Sequence, residues 1–428
     1  MRRYVVIMVT MCLVLVLAGL GMLNRSTAPA SASEQPGIPP DRPAQDSVQW
    51  TLDAMTFESN YPNGFTARIT PSSTGGAIVR ARLVWYGPAQ RANQTRRVNV
   101  EEGEIDPDTG VISARWEPSA TEMVPPWVQI KYHWELRDEA GNVYETEPAL
   151  AEYEDNTRTW TREESEDAIV FTSDLSGDVK ELVLDAMAQR HDMYLAVWGA
   201  SLPYRPRVIL FGDYDAWLEW RTADTNTSDT SVVVGQTYDE WGAIVQVLFG
   251  RNLQDAYEDL AYGTVVHEVE HLYQNEFLSG RRLYDVPGWF YEGDATFFEL
   301  RQSYDYEQRV RNMAADDDLP PLLVGVVGGP RIDGKNPRDG YDIGYTFFVW
   351  MQTLRGDLSV HHAVMVALAQ NTPFIDALEA ATGMSKDEIE REWRLWLGAS
   401  EAAPTLIPTW TPPPFPEPPT PMQFGGSG

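Results

Sequence analysis

The chain has 428 residues, and its 63 acidic against 33 basic residues give a formal net charge of −30. The length suits two domains of about 100–200 residues each, and 43% hydrophobic residues is a globular composition. An acidic excess this large argues against nucleic-acid binding and against binding to an anionic membrane surface, because both need clustered Lys and Arg. The single cysteine, Cys12, lies in an N-terminal apolar stretch, so the remaining chain offers no disulfide and no thiolate metal ligand.

The N-terminal segment has the pattern of an export signal. Two arginines precede an apolar run from Tyr4 to Leu23, whose length fits either a signal peptide or a spanning helix of about 20 residues. Ala30-Ser31-Ala32 supplies a small-residue cleavage site. We predict that residues 1–32 are a signal peptide or membrane anchor and that 33–47 are a linker. The protein is then extracellular or at the cell surface, with membrane contact only through this segment.

The next part of the chain has the pattern of an all-β domain. Ala77–Tyr86 and Val128–Leu136 alternate polar and apolar residues, and Asp106–Gly110 has turn chemistry. The run Trp134–Asn142 resembles the penultimate strand and hairpin of immunoglobulin-like or fibronectin-like modules. We predict a β-sandwich of this type over 48–155.

A second domain is predicted over 165–400. Residues 156–170 are interpreted as a connector, followed by a helix at 174–199 and short strands, among them Arg207–Phe211. From Asn252 the periodicity is largely helical, so the expected class is α+β with a small sheet and a mostly helical C-terminal half. The predicted helices cover about 253–277, 287–302, 303–316, 341–356, 358–370, 373–382 and 385–397. Residues 401–428 are rich in proline and are predicted to be a disordered tail.

The clearest chemical motif is His267-Glu-Val-Glu-His271 within a helical pattern. Histidines four residues apart lie on one helix face and can reach a common ion. The neighbouring Glu268 can take a proton from a water that zinc activates. An exposed helix that carries His and Glu by chance is the alternative.

A third protein ligand is needed for a stable zinc site, and Glu292 is the candidate. It lies in an aromatic-rich helical segment, Pro287–Glu299. Packed against the histidine helix, Glu292 would complete a His₂Glu set. From the pattern alone, a surface carboxylate fits equally well.

Together, the His267–His271 motif and the segment Trp289-Phe-Tyr-Glu-Gly-Asp-Ala-Thr-Phe-Phe-Glu299 resemble the gluzincin peptidases, which include thermolysin and the M1 aminopeptidases. The resemblance implies one Zn²⁺ ion bound by His267, His271 and Glu292, with Glu268 as the general base. Glu299 matches a family glutamate near the ligands. Glu299 either orients a histidine or is a plain solvent-facing residue, and the sequence leaves both alternatives open.

A further similarity concerns Tyr341-Asp-Ile-Gly-Tyr345 and the apolar helix after it. M1-like enzymes carry Tyr-x-x-Gly at this place, and their tyrosine hydrogen-bonds the oxyanion of the tetrahedral intermediate. The resemblance assigns this role to Tyr341, with Tyr345 as the fallback one turn later. Plain aromatic packing is the alternative for both.

The chain also departs from the M1 pattern. It has no Gly-x-Met-Glu-Asn segment, which holds the substrate's amino terminus in M1 aminopeptidases, and no large N-terminal domain. It is most similar to the small peptidase MA-like branch, so aminopeptidase activity is not expected. Zincins pair extended peptide with a strand above the metal, and Val232–Gln236 and Ala243–Val247 are both candidates. For His361-His362, packing or capping is favoured over a second metal site.

The expected function is therefore an exported zinc metallopeptidase that acts on a peptide or protein substrate. A cell-surface binding or adhesion protein with a degenerate or structural zinc domain is the alternative from another class. Hydrolysis of a non-peptide amide or ester is a third reading. Metal content and the effect of Glu268→Gln on hydrolysis discriminate between the first two, and a substrate screen is needed to exclude the third.

Overall fold

The computed structural model describes residues 48–53, 55–89, 98–119, 124–219, 235–248, 253–278, 286–323 and 338–401. The predictions for the export segment, for the linker and for all but the first residue of the tail fall outside these ranges. Within them, no helix combines the length and the hydropathy that crossing a membrane requires.

The N-terminal strands form antiparallel sheets. One sheet has the order β2–β3–β8–β7, and another has the order β10–β9–β5–β6 with β11 also paired to β9; β1 pairs with β4. The strands are β1 Trp50–Leu52, β2 Thr56–Ser59, β3 Phe65–Ile69, β4 Pro71–Ser73, β5 Ile78–Tyr86, β6 Asn99–Glu102, β7 Glu104–Ile105, β8 Ile112–Trp116, β9 Gln129–Asp138, β10 Val143–Glu145 and β11 Ala149–Glu152.

Aromatic side chains from the two larger sheets meet in a common core. The Trp85 ring lies edge-on to Phe65 at 5.1 Å and to Trp116 at 5.0 Å between ring centroids. The alternating burial of β3 and β8 produces this arrangement, because successive side chains of a strand point to opposite faces. The antiparallel two-sheet architecture agrees with the sandwich interpretation, while its immunoglobulin-like type stays a prediction.

A five-stranded mixed sheet follows, in the order β12–β13–β14–β16–β15. Strands β13, β14 and β16 are parallel, and the outer strands β12 and β15 are antiparallel to their neighbours. The strands are β12 Thr161–Glu164, β13 Ile169–Ser173, β14 Arg207–Phe211, β15 Gly235–Tyr238 and β16 Ala243–Val247. The interpretation of 156–170 as a connector is therefore wrong. The charged edge strand β12 has no apolar alternation, so nothing in its sequence marks it as a strand.

The mixed sheet is covered on both faces. Ile209 and Val245 belong to the core shared with the N-terminal sheets, whereas Val208 and Ile244 belong to the core shared with the helices. Burial on both faces explains why the central strands are continuous apolar runs. The N-terminal sheets come close to the mixed sheet at Gly87, where an added Cβ would lie 2.0 Å from the Glu240 backbone oxygen, between β15 and β16.

The rest of the described chain is largely helical, which confirms the predicted α+β architecture with a helical C-terminal half. Local signals set some of the ends: α1 stops at Gly199 with φ 75°, and α10 begins with a capping box between Ser385 and Glu388. The helices are α1 Asp178–Trp198, α2 Tyr214–Glu219, α3 Leu253–Asp259, α4 Val266–Phe277, α5 Gly288–Phe298, α6 Tyr306–Ala315, α7 Arg338–Thr353, α8 Ser359–Ala369, α9 Phe374–Thr382 and α10 Lys386–Leu397.

Helices α5 and α7 cross with their backbones in contact at two glycines. A Cβ added to Gly293 would lie 2.3 Å from Gly344 Cα, and one added to Gly344 would lie 2.2 Å from the Trp289 carbonyl oxygen. Only glycine permits this approach. The crossing brings Glu292, which precedes Gly293, and Tyr341, which lies three residues before Gly344, to the same region.

A π-helical segment, Leu260–Val265, joins α3 to α4 directly before the histidine motif. Within it, the Tyr262 carbonyl accepts hydrogen bonds from the backbone N–H groups of Leu300 (2.7 Å) and Arg301 (3.1 Å). Single π turns often occur at functional sites. Here the turn ties the chain after α5 to the start of α4.

Candidate metal centre

Helices α4 and α5 bring two imidazoles and one carboxylate together. Glu292 Oε2 lies 3.2 Å from His267 Nε2 and 3.5 Å from His271 Nε2, and the three ligand atoms are all within 4.8 Å of one another. All three side chains are buried. Glu292 is thus buried, which excludes the alternative of a surface carboxylate that the sequence had left open. Nitrogen and carboxylate donors that converge in a buried site fit a zinc ion.

The first histidine is held from its far side. Glu299 Oε1 lies 3.1 Å from His267 Nδ1, and the Tyr306 hydroxyl donates to Glu299 Oε2 at 2.9 Å. Arg190 Nη2 donates to the Glu299 carbonyl oxygen at 2.9 Å. Glu299 therefore faces the histidine rather than solvent, and a bond at Nδ1 leaves Nε2 directed to Glu292.

The second histidine has a different partner. His271 Nδ1 lies 2.8 Å from Gln274 Oε1, while Gln274 Nε2 donates to Asp294 Oδ2 (3.0 Å) and to the Tyr291 carbonyl oxygen (3.1 Å). Gln274 and Asp294 belong to none of the motifs recognised in the sequence. The only sequence signal for them was their position: Gln274 is three residues after His271, and Asp294 is two residues after Glu292.

The charges at the site attract one another strongly. Burial lowers the pKa of His267, but its hydrogen bonds and charge interactions with Glu292 and Glu299 outweigh burial and raise that pKa to about 10. Burial acts in the same sense on His271, and Glu292 likewise raises its pKa overall. Burial raises the pKa of Glu292, but the two imidazoles hold it well below its usual range. The cluster thus favours added positive charge, from protons or from a metal ion.

Glu268 lies next to the ligand set with its two oxygens in different surroundings. The Thr237 hydroxyl of β15 donates to Oε2, whereas Oε1 is buried and has no hydrogen-bond partner in the described part of the chain. Thr237 lies on the outer strand, and β16 lies inside the sheet between β14 and β15. Of the two predicted substrate strands, Ala243–Val247 is therefore interior, and the described end of Val232–Gln236 forms the edge among the strands that the structure describes.

The structure also separates the two tyrosine candidates. The Tyr341 ring stacks on His267 with 5.9 Å between centroids and an interplanar angle of 20°, and the Arg338 guanidinium lies 4.9 Å from the Tyr341 ring centre. Tyr345 instead packs against Phe297 and against an aromatic ring of α6. Tyr341 is thus the tyrosine brought to the histidine motif.

A buried polar cluster lies behind the site. His361 Nε2 is 2.9 Å from Asp294 Oδ1, and Trp198 Nε1 donates to Glu270 at 3.0 Å. Burial, together with the nearby charge of Asp294, raises the pKa of Glu270 well above its usual value. His362 Nδ1 instead lies 2.8 Å from a backbone carbonyl oxygen of α1. His361 is therefore a buried partner of a carboxylate, which its sequence neighbours did not indicate.

One further group in the described chain has metal-ligand spacing: Glu166, Asp167 and His191. Glu166 is exposed, and the other two are only partly buried. His191 Nδ1 lies 2.5 Å from Asp167 Oδ1, so the imidazole is engaged in an ion pair at the surface. The buried set on α4 and α5 is the better metal site, because its ligands are desolvated and individually supported.

No protein-family model matches the chain, and no curated protein does either. Among solved structures, it is similar to an M1 zinc metallopeptidase from Deinococcus radiodurans, with 11% identity, a TM-score of 0.34 and coverage of 84% of this chain and 96% of that one. It is also similar to an aminopeptidase N family protein from Idiomarina loihiensis, with 8% identity, a TM-score of 0.32 and coverage of 79% and 72%. A polysaccharide deacetylase from Bacillus cereus matches with 10% identity, a TM-score of 0.19 and coverage of 52% and 78%. These TM-scores are low, and we infer the function from the geometry of the site alone.

Proposed function

We propose that the protein is an exported zinc-dependent metallopeptidase. The observation that carries the proposal is the convergence of His267 Nε2, His271 Nε2 and a Glu292 oxygen in a buried site beside the Glu268 carboxylate. Two imidazoles, one carboxylate and a separate carboxylate base are the parts that zinc-dependent hydrolysis of peptide bonds needs. Export is proposed from the N-terminal sequence pattern.

When bound, zinc lowers the pKa of a coordinated water to about 7 and polarises the substrate carbonyl. The contribution of the chain follows from the surroundings of Glu268. Thr237 fixes Oε2, so Oε1 is the oxygen that is free to accept the proton of the attacking water and to pass it to the leaving amine. The burial of Glu268 limits competition from bulk water for this oxygen.

Two further roles are proposed around this centre. Tyr341, stacked on His267, would donate its phenolic hydrogen to the oxyanion that forms at the scissile carbonyl. Strand β15 would pair with an extended substrate, since it is the outer one of the described strands of the sheet and carries Thr237 next to Glu268. An extended peptide along this edge suits endopeptidase action and needs no pocket for a free amino terminus.

The test combines metal content with one substitution. We expect stoichiometric zinc in the purified protein, and Glu268→Gln should keep the zinc while hydrolysis of an unfolded protein such as casein falls by about 10²-fold or more. Glu181→Gln, an exposed residue on α1, is the matched control and should leave both quantities unchanged. A wild-type protein without zinc would contradict the proposal outright.

The same measurements, extended by a screen of amide and ester compounds, separate the alternatives. Zinc binding without any hydrolysis that depends on Glu268 would favour the binding or adhesion protein with a structural zinc domain. Activity against amide or ester compounds but not against peptides would favour the third reading. The arrangement of Glu268 supports the enzyme, because a purely structural zinc site does not require an adjacent buried carboxylate with an unpaired oxygen.

A further inference from the structure

We propose that Gln274, oriented by Asp294, is the residue that positions the second zinc ligand by keeping His271 Nε2 free to bind the metal. This inference rests on the proposed function, because it assigns a role toward the zinc that the function requires. It concerns a buried amide on the histidine helix and a buried carboxylate on the helix that carries Glu292.

The orientation of the Gln274 amide follows from its neighbours. One end faces two oxygens, Asp294 Oδ2 at 3.0 Å and the Tyr291 carbonyl oxygen at 3.1 Å. A carbonyl accepts hydrogen bonds and cannot donate them, and an ionised carboxylate also only accepts, so the end that faces them must be the NH₂ group. The reverse orientation would put three acceptor oxygens together and leave the NH₂ group facing the imidazole. The Gln274 carbonyl oxygen is therefore committed to His271 Nδ1, 2.8 Å away.

The tautomer of His271 follows in turn. A carbonyl oxygen can only accept, so Nδ1 must carry the hydrogen of the neutral imidazole. Nε2 then holds the lone pair, and it faces Glu292 Oε2 at 3.5 Å without a hydrogen-bond partner in the described chain. The unpaired nitrogen is thus aimed at the place where the ligand set converges.

Asp294 has a second neighbour at its other carboxylate oxygen. His361 Nε2 lies 2.9 Å from Asp294 Oδ1, leaving Oδ2 for the amide. Asp294 and His361 are both almost completely buried. The second histidine therefore has its own support through an amide, separate from the carboxylate Glu299 that supports the first. Partners of this kind orient a ligand histidine and typically change metal affinity about 10- to 100-fold when they are removed.

The experiment measures zinc affinity by competition with a chelator of known affinity, using metal-free full-length protein. Gln274→Leu keeps the approximate size of the side chain but removes the acceptor, and we expect zinc binding to weaken about 10- to 100-fold. Gln274→Glu still offers Nδ1 an oxygen and should bind more tightly than Gln274→Leu. The matched control is Asn275→Ala, because Asn275 donates its hydrogen bond to the backbone carbonyl of His271 (2.8 Å) and not to the ring. It should bind zinc like the wild type.

Two outcomes would overturn the inference. One is a Gln274→Leu protein whose zinc affinity stays within twofold of the wild type, or exceeds that of Gln274→Glu. The other is a crystal structure of the zinc-loaded wild type in which His271 binds through Nδ1, a result that decides the matter even where a variant fails to fold. A wild type that binds no zinc would instead defeat the proposed function, so the two failures are distinguishable.

Discussion

Replacing Gly344 by alanine tests whether the crossing of α5 and α7 positions the site. The added Cβ would lie 2.2 Å from the Trp289 carbonyl oxygen and 2.7 Å from Gly293 Cα. These atoms belong to the backbone of a buried helix, so no side-chain rotation relieves the contact. Because nonbonded carbon atoms prefer about 3.5–4.0 Å, the two helices must separate by roughly 1 Å.

The expected magnitudes follow from that separation. Overpacking of a buried contact costs about 1–3 kcal/mol and at backbone contacts sometimes more, while the better helix propensity of alanine returns about 1 kcal/mol. We expect a net loss of about 1–2 kcal/mol, or about 2–8 °C in Tm for a domain of this size. Tyr341 lies on α7 three residues before the substituted glycine. A displacement of about 1 Å at a catalytic group can lower kcat/KM about 10²-fold.

The assays are urea unfolding of the metal-free protein and steady-state hydrolysis by the zinc-loaded protein. Gly177→Ala is the matched control, since an added Cβ at Gly177 meets nothing within 4 Å and the residue has a helical φ of −57°. It should change stability by less than about 1 kcal/mol. If Gly344→Ala were as stable as Gly177→Ala and kept the wild-type kcat/KM, the crossing would not position the site as argued.

Three further results are expected. Tyr341→Phe should lower kcat about 10²- to 10³-fold without changing zinc content, as for the loss of one oxyanion donor, and an unchanged kcat would remove the residue from the mechanism. Thr237→Val should lower kcat/KM about tenfold, because Glu268 Oε2 loses the hydrogen bond that fixes it. Thr237→Ser keeps the hydroxyl and should have nearly wild-type activity. Equal activity of the two variants would count against a role for this hydrogen bond. Zinc should stabilise the protein more as the pH rises from about 6.5 to about 10. In the metal-free protein, the raised pKa of His267 contributes stability that is present below about 6.5 and is lost as the pH passes about 10, whereas zinc binds the neutral imidazole. The lowered pKa of Glu292 contributes stability that is lost only in strong acid. A difference in Tm between zinc-loaded and metal-free protein that narrows with rising pH would contradict this reasoning.

Local sequence patterns predicted the helical half well because its signals are local. Apolar residues at helical spacing predicted the helices. The structure shows local signals at some of their ends, such as Gly199 and the Ser385–Glu388 capping box. The edge strand β12 was missed for the opposite reason. Its Thr-Arg-Glu-Glu sequence has no strand pattern of its own. It forms a strand because its backbone pairs with β13, an apolar strand that follows after a turn.

The residues around the ligands show the same division. Gln274 and Asp294 belong to no recognised sequence pattern. Their role becomes evident only from the hydrogen bond between them, which joins residues 20 positions apart at 3.0 Å. The choice between Tyr341 and Tyr345 was open for a similar reason. One turn of helix separates them, and the rotation of α7 against α4 decides which ring meets His267.

The sequence by itself determined the candidate chemistry, because donor types at helical spacing are a local property of the chain: two imidazoles four residues apart and a carboxylate between them. It also determined the mixed α+β class through periodicity. Only the tertiary structure decided that Glu292 joins the two histidines, that Glu299 and Gln274 support one imidazole each, and that Thr237 holds Glu268. These relations depend on how α5, β15 and the chain after α5 pack against α4. That packing is set by contacts such as the Gly293–Gly344 crossing, which no short stretch of sequence contains.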